Sequence, residues 1–207
     1  MENNNYIKNI LQYTKSSKSG YQGKGFKTGY HSLNLNGEVL QGQRNPEMRL
    51  KNVPYDFTNK VVLDIGSNQG GMLFAIKDVI SYGVGIDYDY RLVNAANTLS
   101  HYYQSKNINF YVHNLDKDPL SLLLDFNQSN KYDIVFLLSV CMWIDNWKEV
   151  IKWVKENSTA CLFETNGTKQ QQEDQIKELK KYFSVDVINK ESLDDPSQHR
   201  RMLLLCQ

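Results

Sequence analysis

At 207 residues the chain has the length of one compact domain with a sizeable core, at the usual ~100–200 residues per domain, and is too short for two full ones. A formal net charge of +1 supplies no global attraction to nucleic acid or membrane, so any such affinity must come from a local patch. Cys141, Cys161 and Cys206 stand in apolar segments without metal-ligand spacing, the N-terminus lacks an apolar signal region, and no apolar run approaches the ~18 residues of a membrane span; we expect no metal, no membrane partner and a cytoplasmic location.

The first apolar pattern, Tyr6, Ile7, Ile10, Leu11 and Tyr13, predicts a short amphipathic helix within residues 1–19, ended by Ser16-Ser17-Lys18-Ser19-Gly20. Residues 20–58 carry no regular period. Glycines punctuate Tyr21, Lys24, Phe26, Lys27, Tyr30, His31, Arg44 and Arg49, and a stretch this long is either functional or disordered. Its aromatic content argues for order, so we expect a cover over the site with Tyr21, Tyr30, His31 and Arg44 turned inward. The chain accordingly divides into a helix-and-cover segment, 1–58, and a core, 59–207.

From Lys60 strands and helices alternate, which implies a parallel sheet with helices on both faces. The predicted strands are 61–66, 82–88, 108–114, 132–140 and 159–165. Helices are predicted near 70–80, 90–105, 118–126 and 146–157, followed by a long polar helix over 169–183 and closing strands at 185–188 and 201–206. The link Asn189 to Arg200 is polar and has no helical stripe, which favours an antiparallel hairpin over a crossover. The expected fold is α/β, a Rossmann-like seven-stranded sheet, mostly parallel with a C-terminal antiparallel hairpin. A dinucleotide dehydrogenase would instead repeat two mononucleotide halves, and no repeat is visible.

The core begins with Val61-Val62-Leu63-Asp64-Ile65-Gly66-Ser67-Asn68-Gln69-Gly70-Gly71, an apolar strand running into a glycine-rich turn and then the helical pattern Met72, Leu73, Ile76. Glycines let backbone approach a ligand, and the helix start offers free N–H groups. The motif resembles the cofactor loop of the class I S-adenosylmethionine (AdoMet) methyltransferases, acid-x-Gly-x-Gly-x-Gly, with Asn68 in place of the middle glycine. The resemblance implies AdoMet as cofactor, S-adenosylhomocysteine (AdoHcy) as product, and Asp64, Gly66, Ser67, Asn68 and Gly70 as its contacts. About twenty residues on, Gly83-Val84-Gly85-Ile86-Asp87-Tyr88 ends in an acid suited to ribose hydroxyls, with Tyr88 beside it. Asp87 as a helix N-cap is the competing reading, although Asp89 is the better cap. The polar exit His113-Asn114-Leu115-Asp116 places Asn114 and Leu115 where the family contacts adenine, with Asp116 as the substitute if the register shifts.

The fourth strand runs into Ser139-Val140-Cys141-Met142-Trp143, where the family passes the methyl group; Ser139 is a cofactor candidate and Met142 and Trp143 are substrate candidates. Many small-molecule members carry a histidine pair at Met142 and Trp143, so the commonest general base is missing here. The Asp/Asn-Pro-Pro-Tyr motif and the Pro-Cys nucleophile of DNA methyltransferases are absent too. Glu164 and Asn166 follow the fifth strand; Glu164 is a candidate substrate contact, base or cap. Tyr30 is a further substrate candidate, and His31 with Glu164 are the candidates for taking a proton. The stretch Gln41 to Leu50, with Arg44-Asn45-Pro46 and Arg49-Leu50, is similar to the RNA 5′-end methylphosphate capping methyltransferases; a guanidinium near the cofactor loop suits Arg44 as partner of the AdoMet carboxylate, and a surface salt bridge is the competing reading. Three functions follow: methyl transfer to oxygen or nitrogen of a small molecule, methyl transfer to RNA at an end phosphate or base, or a non-catalytic AdoMet-binding partner protein.

Overall fold

The computed structural model describes residues 2–14, 29–35, 37–127, 131–195 and 201–207; Tyr21, Lys24, Phe26 and Lys27 of the expected cover lie outside them. The chain opens with helix α1 (Glu2–Thr14), a hairpin of β1 (Leu33–Leu35) and β2 (Glu38–Leu40), and the short helix α2 (Pro46–Leu50). The core continues as β3 (Val61–Ile65), α3 (Gly71–Ile76), β4 (Tyr82–Asp87), α4 (Tyr90–Tyr102), β5 (Ile108–Val112), α5 (Leu122–Asp125) and β6 (Tyr132–Leu138). A 3₁₀ turn at Cys141–Trp143 leads to α6 (Trp147–Asn157), β7 (Ser158–Glu164), α7 (Lys169–Leu179), β8 (Val185–Asn189) and β9 (Leu203–Cys206).

The large sheet has seven strands in the order β5-β4-β3-β6-β7-β9-β8. β9 pairs antiparallel with both β7 and β8, so the closing hairpin slots its last strand between its first and the rest of the sheet. Successive strand residues point to opposite faces, and both faces are apolar. Val62, Ile134, Phe136 and Leu162 pack one face against Met72 and Ile76 of α3 and Val93 and Ala96 of α4. Leu63, Ile65, Val135, Leu137 and Phe163 pack the other against Val150, Ile151 and Val154 of α6 and Leu179 of α7. Near-continuous apolar strands are therefore what two covered faces require.

The order reverses beside β3, between β4 on one side and β6 on the other, and a crevice opens at such a switch above the C-terminal strand ends. Outside α4 lies a third layer in which Ile7 and Leu11 of α1 meet Leu33, Leu35, Leu40 and Leu99. The β1–β2 hairpin was not anticipated, although Asn36-Gly37 between alternating leucines is a recognised two-residue turn signal. The helix expected over 118–126 shortens to α5. Asn114 Oδ1 accepts from the Asp116 amide (3.0 Å) and Asp118 Oδ2 from the Asn114 amide (2.7 Å), so side chains hold the preceding residues in turns.

Candidate active site

The glycine turn is built by backbone conformation. Gly66 (φ 74°) and Gly70 (φ 79°) lie in the left-handed region, and a Cβ on Gly70 would come within 2.4 Å of the Phe110 ring. Asn68 also has positive φ, 50°. Asparagine is among the few side-chain-bearing residues that enter this region readily, which explains how it replaces a glycine. The Gly66 and Ser67 amides both donate to the Ile86 carbonyl, and the Asn68 amide donates to Asp87 Oδ2 (3.0 Å). Asp87 Oδ1 accepts from the Asp89 amide, while Asp89 itself caps α4 by accepting from the Arg91 amide (2.9 Å). Asp87 thus ties β4 to the loop and keeps carboxylate lone pairs for a ligand. The end of α1 joins the same loop, with Gln69 Nε2 donating to Thr14 Oγ1 (2.8 Å).

A cavity of about 440 Å³ runs over the strand ends. Gly66 and Asn68 line it from the loop, Ile86, Asp87 and Tyr88 from the end of β4, and His113 to Asp116 from the exit of β5. Leu138, Ser139, Val140, Trp143 and Ile144 form the β6 side, and Tyr30 of the N-terminal segment closes it. Nine of the sequence-selected residues therefore share one wall: Tyr30, Gly66, Asn68, Asp87, Tyr88, Asn114, Leu115, Ser139 and Trp143. Asp64, at the end of β3, and Ser67 and Gly70 of the loop do not line it. Met142 lies beside the wall, its amide donating to Asn166 Oδ1 (3.1 Å), and Asn166 is fully buried under Gln175 of α7.

The acids near the loop are electrostatically unsettled. Burial pushes the Asp64 pKa up to about 7, partly countered by Arg49 and reinforced by Asp87. Asp64 Oδ2 has no hydrogen-bond partner among the described residues. Burial likewise raises Asp87 to about 6, against the amides of Asp89 and Asn68. A cationic ligand over the loop would relieve both carboxylates, and AdoMet carries positive charge at its sulfonium and ammonium groups.

Arg44, Glu164 and His31 take a course the sequence did not indicate. The Glu164 carboxylate accepts from Arg44 Nη2 (2.7 Å) and Nη1 (3.2 Å) and from Arg49 Nη2 (2.5 Å) and Nε (3.2 Å), and the Ser139 hydroxyl also donates to it. Arg44 further donates from Nε (2.8 Å) and Nη2 (2.9 Å) to Asp194, and Nη1 lies 3.5 Å from the Tyr30 hydroxyl. All five guanidinium N–H groups are thereby occupied, so Arg44 has none for a cofactor carboxylate. It forms a buried ion-pair network, where the other reading of this residue expected a salt bridge at the surface. Burial alone would raise the Glu164 pKa, but Arg49 and Arg44 outweigh it and hold it at about 2, the reverse of the shift a general base near neutral pH requires. His31 packs against Gly71, away from the cavity wall, and burial with Arg49 and Arg44 lowers its pKa to about 3. Neither residue stands where it can take a proton from a substrate. Sequence reasoning named Arg49 and His113 only within their motifs, without a role, and passed over Asp194 and Arg201, which carried no local signal.

A seven-stranded, doubly wound sheet with its cavity at the topological switch point defines a ligand-binding α/β protein. Residues 63–159 match the sequence profile of a family described as a methyltransferase domain. A search of curated proteins finds no match. Among solved structures, the N-terminal domain of EvdMO1 with SAH bound is similar at 9% identity and a TM-score of 0.68, over 99% of this chain and 96% of that one. Precorrin-6y C5,15-methyltransferase from Geobacter metallireducens GS-15 is similar at 10% identity and 0.57, over 78% and 86%. A SAM dependent methyltransferase from Aquifex aeolicus is similar at 15% and 0.57, over 79% and 88%. At these identities the structures speak for the fold. Residues 63–159 thus resemble a methyltransferase domain, and the fold around them is the Rossmann-like α/β fold of these methyltransferase structures. Among the described residues no helix is long and apolar enough to cross a membrane.

Proposed function

We propose that the protein is an AdoMet-dependent methyltransferase acting on an oxygen or nitrogen of a small-molecule acceptor, with residues 1–58 as the cover of a core formed by 59–207. The observation that carries this reading is the single cavity that joins Asp87, His113 and Asn114 at one end to Tyr30, Ser139 and Trp143 at the other. In this reading Asp87 accepts from the ribose hydroxyls, Asn114 and Leu115 flank the adenine, and Gly66 to Gly70 underlie the methionine portion. Asn114 already serves the Asp116 amide, and the carbonyl oxygen of its side chain keeps a second lone pair for an amino group. Bound AdoMet supplies a methyl group already activated on a sulfonium, so the chain's task is to hold the acceptor in line and keep water out. Trp143, 70% exposed at the mouth, is placed to close over the acceptor.

An RNA acceptor is the weaker reading, because Arg44 and Arg49, which a phosphate chain would need, are buried and committed to Glu164. Calorimetry with AdoMet, AdoHcy and NAD, followed by label transfer from methyl-labelled AdoMet to a small-molecule panel and to RNA, tests the assignment. AdoHcy binding with transfer to small molecules supports it. Transfer to RNA alone favours the second reading, binding without transfer a non-catalytic role, and NAD binding without AdoMet binding overturns all three.

A further inference from the structure

A methyl acceptor must present a lone pair, and the acceptor end of this cavity gives it nothing to lose a proton to. The titratable groups Asp87, Tyr88, His113 and Asp116 line the cavity at the ends of β4 and β5. From Leu138 to Ile144 the lining is apolar except for Ser139. The Ser139 hydroxyl donates to Glu164, and the Tyr30 oxygen faces the Arg44 guanidinium at 3.5 Å. Glu164 is clamped between two arginines, and His31 lies off the cavity wall.

A guanidinium, by contrast, stands beside that end. Arg201 lies just ahead of β9 and stands behind the wall, reaching the cavity through Ser139, which lines it. Its side chain is only 16% exposed, and Nη1 donates to Ser139 Oγ at 3.2 Å. The nearest carboxylate, Glu164, is 4.0 Å away with both oxygens already taken by Arg44 and Arg49. Among the described residues the Arg201 guanidinium makes no other hydrogen bond, although it carries five N–H donors. Withdrawing a cation from water with its donors unfilled is unfavourable, and a carboxylate or phosphate fills a guanidinium fork with matched geometry.

We propose that Arg201 holds an oxyanion of the acceptor, so that the substrate is a small carboxylate or phosphate monoester methylated on its anionic oxygen. This rests on the methyltransferase reading of the site. One oxygen of the group sits on Arg201 while a second attacks. Its lone pair forms the O–CH₃ bond as the C–S bond breaks, and the bonding electrons pass to sulfur. The sulfonium charge and one negative charge of the acceptor are discharged together, leaving AdoHcy and a methyl ester, and no proton moves. A base is then unnecessary, which accounts for an acceptor end without one.

The test is calorimetric titration of the AdoHcy-saturated protein with inorganic phosphate, phenyl phosphate, acetate and benzoate, and with the neutral isosteres benzamide and benzyl alcohol. The expected result is that at least one anion binds tenfold or more tighter than the isosteres. The phosphate and carboxylate arms separate the two sources. Arg201→Gln should weaken that anion at least tenfold and Arg201→Lys by less, with AdoHcy affinity unchanged in both. If Arg201→Gln fails to fold, the lysine variant alone must still weaken the anion. AdoHcy binding without a preference for any anion, or a preference indifferent to both substitutions, overturns the proposal alone. A protein that takes up no AdoHcy overturns it together with the methyltransferase reading.

Discussion

Glu164→Gln separates a base from a buried tie. The substitution keeps shape and removes the charge that two buried guanidinium groups share. The Glu164 pKa falls from the ordinary 4.5 to about 2 in the fold, which at ~1.4 kcal/mol per pKa unit corresponds to roughly 3 kcal/mol of stability. Removing one partner of a buried ion pair costs about 3–5 kcal/mol, so the two routes agree in order of magnitude. For a chain of this length that is a drop in Tm of roughly 6–12 °C. Because the folded pKa is depressed, the contribution is fully present above pH ~4.5 and is lost as pH falls toward about 2. Urea unfolding of both proteins, followed by circular dichroism at pH 7 and at pH 3, measures the gap. It should be several kcal/mol at pH 7 and smaller at pH 3. A variant as stable as the parent at pH 7, or a gap that widens in acid, would refute the reasoning and return Glu164 to the list of bases.

Asp87→Ala should weaken AdoHcy binding by about 1.5–3 kcal/mol, roughly 10- to 150-fold, measured by calorimetry; unchanged affinity would remove the ribose assignment. AdoHcy affinity should also fall as pH drops below about 6, where Asp87 in the free protein takes up a proton, and this dependence should vanish in Asp87→Asn. Asp64→Asn should raise the Tm of the free protein at pH 8. The folded pKa of Asp64 is raised to about 7, so its ionised form destabilises the fold progressively as pH climbs from the unfolded value to that point; a lowered Tm would show that the charge is already compensated. Asn68→Gly should leave stability within ~0.5 kcal/mol, whereas Asn68→Val should cost about 1–2 kcal/mol at φ 50°. Trp143→Ala, at an exposed position, should change Tm little but raise the acceptor KM, read from the initial rates of methyl transfer.

The sequence by itself determined the sheet, because each strand between Val61 and Glu164 is apolar enough to be covered on both faces and the intervening helical periods leave a parallel crossover as the way to connect them. It also determined the cavity wall along the exits of β3, β4 and β5. Gly66, Asn68, Asp87, Asn114 and Leu115 lie at strand exits, so their place follows once the strands are known. Local chemistry likewise sufficed for Asp89 as the cap of α4, whereas the β1–β2 hairpin was missed although Asn36-Gly37 is a turn signal.

The charged residues were decided only by tertiary structure. Arg44 and Glu164 are 120 residues apart, and Arg44 and Asp194 are 150 apart. A carboxylate's pKa and a guanidinium's availability depend on which charges the fold brings within a few ångströms and how much water it removes. The same carboxyl group at the end of β7 becomes a base in an apolar pocket or an anion locked between two arginines, and nothing local to Glu164 distinguishes the two. Arg201 gains its interest in the same way, from a serine 62 residues earlier in the chain that the sheet places beside it.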